Sequence, residues 1–211
     1  MTLTPEVILQ AYASGVFPMS EGRTDPEVFW VDPRERGILP LDGFHISRSL
    51  ARQMKKGGYT PAFNTDFNAV VRACAARKDT WINAEIEQVF TALHHAGFAH
   101  SFEIWRNCAL IGGTYGLALG GAFFGESMFS HATGGSKLAL AHLVDHLRRT
   151  GFTLFDTQFL TPHLASLGGR AISRASYRAK LLSALKVPAD LFSQPLEQDP
   201  HSVLQRVTQT S

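Results

Sequence analysis

The sequence predicts an α+β fold: a mixed, mostly antiparallel sheet flanked by helices, preceded by a small N-terminal subdomain. Three observations carry this. From Ser101 onward, four extended segments succeed one another with little but turn residues between them, first Arg106-Asn107 and later Gly120-Gly121, as in a β-meander. A helical pattern starting near Ser136 then separates this region from the extended segment Thr153-Leu154-Phe155-Asp156-Thr157-Gln158, and a strand–helix–strand order demands a crossover, so the sheet is mixed. Residues 1–32 are too few to enclose a sizeable core and are read as a subdomain packed on a main domain at 33–190, with 191–211 a C-terminal tail.

The elements follow in order. Thr4, Pro5 and Glu6 form an N-cap, a proline at the first helical position and an acidic first turn, and Gly15 stops the helix. Phe29-Trp30-Val31 is a short strand closed by Asp32-Pro33. From Ser47, Leu50 and Met54 recur at helical spacing, with Arg48, Arg52, Lys55 and Lys56 on the other side. Asn83 caps a helix with Glu85 and Glu87 in its first turn and Ile86, Val89, Phe90 and Leu93 as its apolar stripe. Ser136 is expected to cap the crossover helix, whose Leu140, Leu143, Val144 and Leu147 face inward. Ser173 caps a last helix, and the polar tail beyond Gln194 has little to bury.

Composition narrows the function. The start has no basic segment followed by an apolar run, and no stretch approaches the roughly 20 apolar residues of a membrane span, which argues for a cytoplasmic protein. Cys74 and Cys108 form no Cys-x-x-Cys pair and are read as small buried thiols. The net charge of +2 is uninformative, but between Arg34 and Lys78 nine basic residues stand against three acidic ones, a local +6. Such an imbalance is either a solvated surface or a phosphate-backbone contact, with Tyr59 and Trp81 nearby to stack on bases.

The candidate site comes from strand periodicity. Side chains alternate along a strand, so Phe124, Glu126, Met128 and Ser130 are expected on one face, and Leu154, Asp156 and Gln158 on one face of a second strand. Two carboxylates and an amide would then share a cleft; the alternative is that these polar positions face water. Other motifs fail. Gly125-Glu126-Ser127-Met128-Phe129 lacks the final Gly of a nucleophile elbow, leaving Ser127 structural. His142 and His146 stand four apart, but Leu143 replaces the Glu of a zinc protease, so a surface role is expected. Gly134-Gly135-Ser136-Lys137 has the wrong order for a Walker loop, and no Rossmann glycine pattern opens a helix.

Taken together, Tyr12-Ala-Ser-Gly-Val-Phe-Pro18, Phe44-His-Ile-Ser-Arg-Ser-Leu50, Ala99-His-Ser101, Gly112-Gly-Thr-Tyr-Gly116, Gly125-Glu-Ser-Met-Phe-Ser130, Asp156-Thr-Gln158 and His163-Leu-Ala-Ser-Leu-Gly168 resemble the bacterial leucyl/phenylalanyl-tRNA-protein transferase family. The resemblance implies transfer of Leu or Phe, and also Met, from aminoacyl-tRNA to proteins beginning with Arg or Lys, creating an N-degron. It implies a small N-terminal domain and a larger GNAT-like one, with neither metal nor coenzyme, and we expect a monomer. Carried over by position, Trp81, Phe123 and Met128, with Met19 and Phe155, look like the residues that grip the aminoacyl side chain and terminal adenosine. Glu126, Asp156, Gln158 and Ser130 look like the polar site residues. Arg48, Arg52, Lys55 and Lys56 are assigned to the tRNA. The chain carries Met19 where the family often has Trp, and Thr114 where Met is common. It also starts later than long family members, so part of the N-terminal domain is expected to be missing or replaced.

The chemistry of the residues is compatible with this. An aminoacyl ester is already activated, so attack by an amine requires proximity, a neutral amine and oxyanion stabilisation rather than an enzyme nucleophile. Because an ordinary carboxylate is far more acidic than an α-amine, Asp156 is expected to hold the cationic acceptor rather than to abstract its proton. Two rival functions are a GNAT acetyltransferase, for which a pyrophosphate loop is missing, and a non-catalytic RNA-binding module, which leaves Glu126 and Asp156 unexplained.

Overall fold

The computed structural model describes residues 3–77 and 80–209; Lys78 of the basic segment lies outside them. The chain begins with α1 (Pro5–Ala13) and a two-stranded sheet of β1 (Phe17–Met19) and β2 (Phe29–Val31). There follow β3 (Glu35–Ile38), α2 (Arg48–Lys56), β4 (Thr60–Phe63), α3 (Phe67–Ala75) and α4 (Ala84–His95). The meander β5 (Ala99–Arg106), β6 (Ala109–Leu119) and β7 (Ala122–Ser130) leads through α5 (Gly135–Arg149) to β8 (Leu154–Gln158). The chain ends with α6 (Pro162–Ala165), β9 (Arg170–Ser173), α7 (Arg174–Ala184) and α8 (Pro200–Thr208). The main sheet has seven strands in the order β4-β5-β6-β7-β8-β3-β9, antiparallel throughout except for the parallel pair β7 and β8, which α5 connects.

The local signals behave as their chemistry requires. The side chains of Thr4, Ser47, Asn83 and Ser173 each accept a backbone N–H in the first turn of the helix they precede. Asn107 and Cys108 both take positive φ and form a two-residue hairpin turn, because that twist matches the flanking strands. Cys108 is consequently exposed, unlike buried Cys74, which corrects the expectation of two buried thiols. The cap of α5 also differs from expectation. Gly134, left-handed at φ 80°, precedes the helix, while the Ser136 N–H donates to Ser130 Oγ at 2.8 Å. A serine on β7 therefore holds the first turn of α5.

Two apolar clusters cover the sheet, one on each face. Phe124 joins Tyr12, Phe67, Phe90, Tyr115 and Tyr177, while its neighbour Phe123 joins Met54, Phe102, Leu143 and Phe155, as adjacent strand residues must. Ile8, Tyr12 and Phe17 from the N-terminal elements are part of the first cluster. Near the C-terminus the structure departs from the polar-tail reading. Val203, Leu204 and Val207 of α8 are buried in the second cluster, and Arg206 makes a two-point ion pair with buried Asp145 of α5 at 2.7 and 2.9 Å. Spacing recognises such a short apolar stripe poorly when polar residues surround it.

His142 and His146 are likewise internal rather than on the surface, each 1 % exposed. His142 Nε2 meets the Tyr59 hydroxyl at 3.0 Å and His146 Nε2 meets the Leu191 carbonyl at 2.6 Å. Burial lowers both imidazoles, His142 to about 4, so near neutral pH they are uncharged elements beneath the C-terminal segment. Among the described residues no cluster of three His, Cys, Asp or Glu side chains is arranged to hold a metal, and no helix is long and apolar enough to cross a membrane.

Candidate active site

The site lies where the parallel strands separate. β7 and β8 pair from Ala122↔Leu154 to Phe124↔Asp156, and both are irregular beyond that point. On β7, Tyr115 faces Ser127 and Gly116 faces Gly125, leaving Glu126 as the extra residue of a bulge. On β8, Gly37 faces Gln158 and Ile38 faces Asp156, leaving Thr157 extra. The first bulge overturns the simple alternation expected for β7. Phe124 packs in one cluster and Met128 against the other, with Glu126 at the change of face. Alternation in the sequence cannot show an inserted residue.

The diverging strands leave a cavity of about 480 Å³. Its apolar walls come from Phe17 and Met19 of β1, Trp81, Met128 and Phe129 of β7, Leu140 of α5, and Phe155 and Phe159 at β8. Its polar lining includes Glu126, Ser127, Ser130, Thr157, Gln158 and His163, and Arg77 lies over the Trp81 ring with its guanidinium carbon 5.3 Å from the centroid. The Thr157 hydroxyl and His163 Nε2, on residues that line the cavity, are buried atoms without a hydrogen-bond partner.

Asp156 is not in that lining. It is fully buried, and its carboxylate accepts four hydrogen bonds: Oδ1 from Arg36 Nε at 2.8 Å and Gln158 N at 2.9 Å, and Oδ2 from Arg36 Nη2 at 2.6 Å and the Tyr177 hydroxyl at 2.8 Å. Four bonds fill the acceptor sites of a carboxylate, so Asp156 has none left for an acceptor's ammonium. This removes the cation-holding role expected of it. Its bond to the Gln158 backbone supports an unusual conformation, because Gln158 is left-handed at φ 57° without being glycine. The residue opposite must be Gly37, where a Cβ would fall 2.5 Å from the Phe159 carbonyl carbon.

From that position Gln158 Nε2 donates to Glu126 Oε1 at 2.9 Å. Glu126 is 5 % exposed, and burial pushes its carboxyl up to about 8. The Tyr12 hydroxyl on α1, Arg36 on β3 and Gln158 pull the value down, while Asp156 adds to the rise. Buried Tyr115 of β6 lies within electrostatic reach of the same carboxyl, as does Tyr177 of α7. Glu126 is thus a protonatable group in the lining of a mostly apolar cavity.

Most of the expected site residues converge. Met19, Trp81, Glu126, Met128, Ser130, Phe155 and Gln158 line the cavity; Phe123 does not, and instead packs edge-on beneath Phe155 with ring centroids 5.4 Å apart. Arg48, Arg52, Lys55 and Lys56 are exposed on α2, and none forms an ion pair among the described residues. Gln53 of the same helix donates to the Thr133 carbonyl at 2.9 Å, which sets α2 beside the start of α5 and hence beside the Ser136 wall of the cavity. Sequence reasoning missed Tyr12, Gly37 and Tyr177, and counted Arg36 only as part of the basic segment. The sole available signal for Arg36 was its place between Glu35 and the short apolar run that follows.

Comparison with known proteins agrees on one family. The model described as "Leucyl/phenylalanyl-tRNA protein transferase" matches residues 38–182, and the one for that protein's N-terminal domain matches residues 1–34, so this stretch is of the family's own kind rather than a replacement. The leucyl/phenylalanyl-tRNA–protein transferase of Ruegeria pomeroyi is 60 % identical over 211 residues, covering 100 % of both chains. That of Cereibacter sphaeroides (strain ATCC 17025) is 58 % identical over 209 residues, 99 % of this chain and 98 % of its own. Among solved structures, FemX aligns with a TM-score of 0.51 at 14 % identity over 78 % of this chain and 66 % of its own, a likeness of fold that accords with the expected GNAT-like core. The chain belongs to the leucyl/phenylalanyl-tRNA–protein transferase family.

Proposed function

We propose that this chain transfers Leu or Phe from aminoacyl-tRNA to the α-amino group of an acceptor protein by direct aminolysis, with Glu126 as the proton acceptor. The observation that carries this reading is the position of Glu126: a buried carboxyl raised to about 8, hydrogen-bonded by Gln158, in the lining of a cavity with mostly apolar walls. An α-amine has a pKa of about 7.7–8.0, so proton exchange with Glu126 is close to thermoneutral, which an ordinary carboxylate near 4.3 does not allow. The amine nitrogen bonds to the ester carbonyl carbon as its proton passes to Glu126. The bond to the ribose oxygen then breaks, and the same proton goes to that oxygen. No covalent enzyme intermediate forms.

Binding follows from the walls. The apolar cavity accepts the Leu or Phe side chain, the Trp81 ring offers a stacking face for the terminal adenosine, and the exposed cations of α2 meet the tRNA backbone. Among the described residues Glu126 is the carboxyl group lining the cavity, and its ionised form, the one that accepts the proton, also draws an acceptor whose first residue, Arg or Lys, carries a second positive charge. Such a product bears a new apolar N-terminus and serves as an N-degron. In this reading the protein works as a cytoplasmic monomer.

The test is filter transfer of radiolabelled Leu from charged tRNA to an Arg-initiated peptide, set beside acetyl-CoA as donor. Leu incorporation dependent on the peptide's free α-amine is expected. Acetylation without Leu transfer would assign the cavity to a different donor, and tRNA retention with neither product would leave only a binding module.

A further inference from the structure

Arg36 is 1 % exposed, an unusual place for a guanidinium. Its carbon lies 4.4 Å from the Phe17 ring centroid and 4.5 Å from that of Tyr177, so it is held between two aromatic faces. Its nitrogens join separate parts of the chain. Nη1 donates to the Gly15 carbonyl at 2.9 Å, in the turn between α1 and β1, while Nε and Nη2 hold Asp156 of β8. The first contact fixes the strand that carries Phe17 and Met19 to the cavity wall; the second fixes the carboxylate that caps the Gln158 backbone.

We infer that Arg36 is a positioning residue for aminoacyl transfer: it keeps the apolar wall formed by Phe17 and Met19 in register with the Gln158–Glu126 pair. The inference rests on the reading of the cavity as the transfer site. Arg is required rather than any cation, because the planar fork meets both Asp156 oxygens and has a third direction left for Gly15, a geometry that an ammonium group on a flexible stem does not reproduce.

A purely structural ion pair behaves differently. A buried pair needed for stability alone is often replaceable by uncharged residues at little cost, whereas removing one partner leaves a costly lone charge. The experiment therefore compares wild type with Arg36→Lys, Arg36→Met and the double variant Arg36→Met/Asp156→Asn. Melting temperature is measured for each, and single-turnover Leu transfer to an Arg-initiated peptide is measured at a temperature where each is folded. The double variant should melt above Arg36→Met, since no uncompensated carboxylate remains. Its transfer rate at saturating substrates should nonetheless stay about 100-fold below wild type, the loss that a misplacement near 1 Å produces, with the KM for Leu-tRNA unchanged. Arg36→Lys should be folded and slowed in the same way.

Wild-type rates in Arg36→Lys, or a double variant whose rate recovers in step with its melting temperature, overturn the inference while leaving the transfer reading intact. No transfer by the wild-type protein overturns the transfer reading and this inference with it. If Arg36→Met does not fold, the other two variants decide.

Discussion

Replacing Glu126 by Gln removes one titration and preserves shape, including an oxygen that can still accept from Gln158. With burial holding the carboxyl at about 8 against an ordinary 4.5, the folded chain retains a proton that the unfolded chain has lost. The folded state therefore binds more protons between those values, so the stability linked to this group is complete below about pH 4.5 and is lost as pH rises, until it is exhausted above about pH 8. At 1.36 kcal/mol per pH unit the gap amounts to about 5 kcal/mol as an upper figure, of which roughly 3 kcal/mol is gone by about pH 7. Gln has no proton to lose. Glu126→Gln should match wild type near about pH 4 and exceed it progressively, by up to about 10–20 °C in melting temperature at about pH 9 if each kcal/mol is worth about 2–4 °C in a chain of this size. Thermal melts of both proteins across that range are sufficient, since other titrations cancel in the difference. Parallel curves, or a variant less stable than wild type at the alkaline end, would refute the argument that Glu126 is buried at a cost in its charged form.

Other parts of the structure make their own predictions. Arg52→Ala/Lys55→Ala, on the exposed face of α2, should weaken tRNA binding and reduce the slope of log K against log salt by about two, roughly one for each lost phosphate contact, as read by filter binding at several salt concentrations. Met128→Ala enlarges an apolar wall of the cavity and should improve Ile-tRNA relative to Leu-tRNA as donor by at most ~1–3 kcal/mol in kcat/KM. Arg206→Ala leaves the buried Asp145 carboxylate without its two-point partner and should cost about 1–3 kcal/mol in urea unfolding, below the roughly 3–5 kcal/mol of a fully buried broken pair because Arg206 is partly exposed and water can reach the site.

What the sequence could and could not show has physical causes. The caps at Thr4, Ser47, Asn83 and Ser173 depend on a few neighbouring residues and were readable directly, as was the parallel strand pair that follows from a helix between β7 and β8; the hairpin turn lies one residue later than expected, at Asn107–Cys108, and Gly134 rather than Ser136 precedes α5. Bulges were not, because an inserted residue at Glu126 is defined only by its partner strand, and it displaced the expected face of every later β7 side chain. The roles of the two acids were hidden for a similar reason. Asp156 and Glu126 are equal as letters, but Arg36, 120 residues from Asp156, fills one carboxylate while burial raises the other. The short strands β3, β4 and β9 carried too little pattern to stand out, although β3 holds Arg36 and Gly37. His142, His146 and α8 were read as surface or tail because their polar letters gave no sign of the aromatic and carbonyl partners that enclose them.

The central claim is that Glu126 accepts the proton of the attacking amine. Single-turnover transfer of Leu from charged tRNA to an Arg-initiated peptide, followed at saturating substrates from about pH 6 to about pH 9 for wild type and Glu126→Gln, tests it most directly. The account predicts a wild-type rate that climbs and levels off near about pH 8, where Glu126 loses its proton, and a variant at least about 100-fold slower despite its greater stability. A variant that transfers Leu at the wild-type rate would contradict it.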